Sequence, residues 1–138
     1  MDNNNQNSNV YASQNPIISQ MHSEADKIQQ YMDVPLTLED PASLTYRLKD
    51  LDVYLARLSD MMIRSKTMKE AAKISYITSN EQLLNRLTAT NSNRKIDAFL
   101  FEYTALYNRL DTMYHTMEHL TRDLVTQISY IKQQMTMR

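Results

Sequence analysis

Glycine and cysteine are absent from the chain, and its three prolines all fall at or before position 41. Without glycine, compact folds that turn tightly at positive φ are hard to build, and two-residue strand hairpins lose their usual turn residue. Leu, Met, Lys, Arg, Glu and Gln are abundant instead, and all of them favour helix. The lack of cysteine excludes a disulfide framework, a zinc-thiolate site and a thiol nucleophile. The lack of glycine removes phosphate-cradling loops and the nucleophile elbow, so the sequence points away from catalysis and implies no cofactor. No apolar run approaches the roughly 18 to 20 residues that a bilayer-spanning helix needs, and the mean hydropathy is -0.56. "MDNNNQNSNV" has neither the basic nor the apolar region of a signal peptide. The expectation is a soluble cytoplasmic protein with no membrane partner.

Charge is divided unevenly over the 138 residues, although the formal net charge is only -1. Residues 1–40 hold one base (Lys27) against six acids, a net of -5, and residues 41–138 hold fourteen bases against ten acids, a net of +4. This asymmetry suggests a basic binding surface that an acidic leader screens.

Residues 1–15 are Asn, Gln and Ser with few apolar side chains, too little to offset the entropy of ordering them. In residues 17–34, Ile17, Met21, Ile28 and Met32, with Tyr31 as a further candidate, fall loosely at helical intervals, enough for a short, marginal helix that needs a partner to form. Pro35 ends it. Asp40 before Pro41 is a good N-cap with proline at the first helical position. From there Leu44, Leu48, Leu51, Leu55, Leu58 and Met62 alternate steps of four and three, the seam of a helix packed along another. "TSN" at 78–80 is a possible kink, and "TATNSN" at 88–93 is a connector in which Thr88 or Thr90 can cap a second long helix. Its seam runs through Ile96, Phe99, Tyr103, Leu106, Leu110, Met113, Met117, Leu120, Leu124, Ile128, Ile131 and Met135. The expected fold is all-α: a polar leader over 1–40, then a long antiparallel hairpin over 41–138, with helices at about 41–86 and 90–136. A single two-helix seam leaves flanks wet, with Phe101, Tyr107 and Tyr114 beside it, so a homo-oligomer is expected.

Two side-chain groupings bear on chemistry. His115 and His119 are four apart on a helix and could share a metal, but a third ligand is missing and "HTMEH" is not HExxH, so no metal site is assigned. "IRSKTMKEAAKISY" at 63–76 is the second grouping. Lys66, Lys69 and Lys73 are spaced three and four apart and form one stripe, Tyr76 continues it, Arg64 flanks it, and Glu70 is the only acid from 61 to 80. Cations beside aromatic faces suit single-stranded nucleic acid. On composition alone, a nucleic-acid face and a plain solvated helix surface explain this stretch equally well.

At the connector and second helix, Leu87, Thr88 and Ala89, then Lys95, Ile96 and Asp97, then Leu110 and Asp111 follow one another after a Lys-rich helix. Over about residues 44–135 the order and pattern of these cues resemble the UvsY family of phage recombination mediators. The resemblance implies a helical hairpin that forms a ring-like homo-oligomer through its C-terminal helix and binds single-stranded DNA. It further implies that the protein helps a RecA-like recombinase replace a single-strand-binding protein, in the host cytoplasm if phage-encoded. The family's basic DNA-contacting positions best match Lys66, Lys69 and Lys73. The acidic, Asn-rich leader departs from that family. The alternative is a phage structural or assembly coiled coil without nucleic-acid binding, and a chaperone for an assembled protein is a third possibility.

Overall fold

A computed structural model describes residues 13–35 and 40–137, and within them every regular element is helical. In chain order these are α1 (Pro16–Met32), α2 (Pro41–Ser79), α3 (Glu81–Asn85), α4 (Ala89–Phe99) and α5 (Phe101–Thr136). The Asn-rich tail over residues 1–12, and residues 36–39 of the α1–α2 connector, lie outside the described residues.

Local chemistry sets the helix ends. Asp40 caps α2 by accepting from the Ala42 N–H at 3.0 Å, with Pro41 at the first helical position. Asn80 closes the same helix, its side-chain amide donating to the Tyr76 carbonyl at 2.8 Å. Thr88 caps α4 through its hydroxyl oxygen, which accepts from the Asn91 N–H at 3.2 Å. The break between α4 and α5 is slight: the Leu100 N–H still donates to Ile96 O, and the Thr104 N–H to Leu100 O. Residues 89–136 are therefore close to one long helix, as the spacing of their apolar residues suggested.

The packing of α2 against α5 forms most of the core. Leu44, Leu51, Leu58 and Met61 meet Leu106, Leu110, Met113, Met117, Leu124 and Ile128, all buried, with Leu120 and Ile131 partly covered. Each fully buried Leu or Met contributes about 1.5 to 3 kcal/mol. A second, smaller cluster of Leu84, Ile96 and Leu100 fixes α3 and α4 at the far end of the α2–α5 pair.

The helix expected over residues 17–34 is present as α1, but it is not marginal: it is a 17-residue helix lying in the core, where it buries Ile18, Met21, His22, Ala25, Ile28 and Met32. Its N-terminal end is tied to the start of α5 by Asn15 to Tyr103 (3.3 Å) and Ser13 to Glu102 (2.7 Å). Its C-terminal carbonyls are capped from α2, where Arg47 donates to Val34 O at 2.8 Å and to Tyr31 O at 3.4 Å. Thus α1 runs alongside α5 and covers one flank of the α2–α5 pair over its middle portion.

One polar contact in that flank is sensitive to pH. His22 is 5% exposed, and the Arg109 guanidinium lies 3.0 Å from its Nδ1 while also bonding Asp26 at 2.5 Å. Arginine only donates, so Nδ1 must be the acceptor and the ring must be neutral. Burial, then the Arg109 charge, hold the His22 pKa below its ordinary value against the opposing pull of Asp26 and Glu102. The unfolded chain therefore takes up this proton first as pH falls, and stability drops as pH goes below about 6.5. His22→Gln, which can still accept from Arg109, is expected to remove that part of the pH dependence, read as the melting temperature at pH 7 and pH 5.

Candidate nucleic-acid interface

The two flanks of the α2–α5 pair separate the residues that the sequence grouped together. Arg64 is two positions from Lys66, and such residues face apart on a helix. It lines the groove shared with α1, beside Glu24 and Lys27, and sits 3.9 Å from Asp60. Arg64 therefore does not belong to the lysine stripe. The stripe occupies the flank that α1 leaves open. There Lys66 lines a shallow groove of about 350 Å³ with Ser59, Met62 and Ile63 of α2 and Tyr107 and Tyr114 of α5. Lys69 and Lys73 follow along the same helix face, Lys69 half-buried and Lys73 exposed.

Tyr76 ends the stripe, but its ring is not open on both faces. It stacks on Phe99 of α4, with ring centroids 4.4 Å apart and planes 18° from parallel. Phe99, expected on the seam, is instead 46% exposed. The seam of this segment passes through Ile96 and Leu100, which are buried. Tyr107 and Tyr114 of α5 thus line the open flank opposite Lys66 of α2, and Phe99 of α4 stacks on Tyr76 at the end of the stripe.

Among the described residues, the ion pairs engage Arg64, Arg109, His115 and Arg122, and none of them involves Lys66, Lys69 or Lys73. Charge is local as well. Residues 61–100 hold seven bases and three acids, a net of +4, whereas 41–60 and 101–138 are each balanced. The cationic excess of the helical body is therefore carried by the second half of α2, a net of +3 over residues 61–79, and by the α3–α4 segment, a net of +1 over residues 80–100. Arg94 and Lys95, which the lysine-stripe pattern did not single out, are exposed there on α4. A windowed charge count along the sequence would have found them.

Elsewhere, His115 bonds Asp111 at 3.3 Å on the α5 surface and His119 is exposed. Among the described residues no group of three metal-ligating side chains comes together. No described helix is long and apolar enough to cross a membrane.

Against known proteins, no family model, no curated protein and no solved structure matches the chain.

Proposed function

We propose that this protein is a non-enzymatic, oligomeric accessory protein that binds single-stranded DNA on the flank left open by α1. The observation that carries the reading is the groove in which Lys66 of α2 meets Tyr107 and Tyr114 of α5, continued by Lys69 and Lys73. Charge on one wall and rings on the other answer the two chemical parts of a single strand, its phosphates and its unpaired bases. By the resemblance to UvsY-type mediators, the role is to help a RecA-like recombinase displace a single-strand-binding protein in the host cytoplasm. The α2–α5 pair serves as the hairpin of such a mediator.

Three or four cations per copy give weak binding, near the nonspecific range of roughly 10⁻⁴ to 10⁻⁶ M. Useful affinity then comes from several copies acting on one strand. Beyond the end of α1, α5 leaves Val125, Tyr130 and Met135 exposed beside a groove of about 420 Å³ lined by Thr126, Gln127, Tyr130 and Ile131. Self-association through this end of α5 would cover them.

The test is titration of a short fluorescein-labelled oligothymidylate with the protein at several salt concentrations, together with the mass of the protein in solution. The expected result is an oligomer whose affinity falls by about 0.7 log units per log unit of salt for each phosphate neutralised. An oligomer that fails to bind the oligonucleotide even at low salt would instead support the assembly-protein alternative.

A further inference from the structure

We infer that α4 supplies the part of this surface that selects single-stranded over duplex DNA, with Phe99 as a stacking platform for one base and Lys95 holding the adjacent phosphate. This rests on the single-stranded DNA reading above and adds a second element to it.

The two helices are joined at this point by the Tyr76–Phe99 stack, which continues the lysine stripe of α2 directly onto α4. Tyr76 covers one face of the Phe99 ring, yet the residue stays 46% exposed. Phe99 is not among the residues that anchor α4: Ile96 and Leu100 do so in the smaller core cluster with Leu84. Lys95 lies four residues before Phe99 and Lys73 three before Tyr76, so one cation stands a helical turn behind each ring. Both are exposed, and neither is in an ion pair among the described residues. Asp97 is two residues from Phe99 and so faces away from it, while Glu102 accepts from Ser13 at 2.7 Å. The ring is thus preorganised by its partner and open to a ligand, with Lys95 a turn before it and the Ser13-bonded Glu102 a turn after it. An unpaired base can stack on it, whereas a base within a duplex is already stacked on its neighbours and presents only its edge.

The experiment compares Phe99→Leu, Phe99→Tyr and Lys95→Gln with the unmodified full chain, using a fluorescein-labelled oligothymidylate and a labelled duplex. Phe99→Leu keeps an apolar contact for Tyr76 but removes the ring, and it is expected to weaken single-strand binding by about 5- to 150-fold while leaving duplex binding unchanged. Phe99→Tyr, which keeps a ring, should retain the preference. Lys95→Gln should flatten the single-strand salt slope by about 0.7. If Phe99→Leu leaves the single-strand to duplex ratio unaltered, or weakens both alike, the inference is overturned while the lysine-stripe reading stands. If charge reversal at Lys66, Lys69 and Lys73 leaves binding of both probes intact, the underlying reading fails and this inference falls with it.

Discussion

Replacing Lys66, Lys69 and Lys73 together by glutamate is expected to weaken single-stranded DNA binding by about 100-fold or more at low salt. It should also flatten the salt dependence by about 2 log units per log unit, the contribution of three lost phosphate contacts. Helix content and solution mass should not change. Lys66 and Lys73 are exposed, and none of the three lysines is in an ion pair among the described residues, so removing them breaks no internal bond. Surface changes of this kind usually alter stability by less than about 0.5 kcal/mol each. Arg64→Glu provides the internal comparison. That residue lies on the α1 flank near Asp60, so its replacement should affect binding much less than any one lysine of the stripe. Equal losses from Arg64→Glu and Lys66→Glu would show that general charge, not the open flank, governs binding.

The second large effect expected is on stability. Leu110→Ala should cost about 2 to 5 kcal/mol, because Leu110 is fully buried in the principal core and its truncation removes buried apolar surface and leaves a cavity. For a chain of this size that corresponds to a fall in melting temperature of roughly 6 to 20 °C, measurable by circular dichroism. Leu83→Ala, at a position 44% exposed on α3, should shift it by no more than about 2 °C. A result in which both substitutions act alike would contradict the burial pattern. Because domains of this size are stable by only about 5 to 15 kcal/mol, the Leu110 variant is also the one most exposed to proteolysis.

The long seams were legible because Leu and Met recur at steps of three and four with few exceptions, and such a stripe has one stable use, burial against another helix. The first helix was harder to read. Its buried face runs through Ile18, Met21, His22, Ala25, Ile28 and Met32. Counting only strongly apolar residues led to Ile17, which is 49% exposed. Alanine and histidine carry no clear hydrophobic signal. Their burial depends on close approach to α5 and, for His22, on a guanidinium from a residue 87 positions away. The interface divides in the same way. The lysine stripe follows from local spacing alone. That Tyr107 and Tyr114 face it, that Arg64 does not, and that Phe99 leaves the seam to stack on Tyr76 all depend on the register between helices, which no periodicity within one helix encodes.

The positions of the two unfinished surfaces have a geometric consequence. The cationic end lies around Phe99, and the uncovered apolar end of α5 lies around Tyr130, roughly 46 Å further along at 1.5 Å per residue. Copies gathered at their Tyr130 ends would hold their charged tips outward like spokes. A strand crossing from tip to tip would then be stretched between neighbours, its footprint growing with each added spoke, while the hub stayed free of DNA.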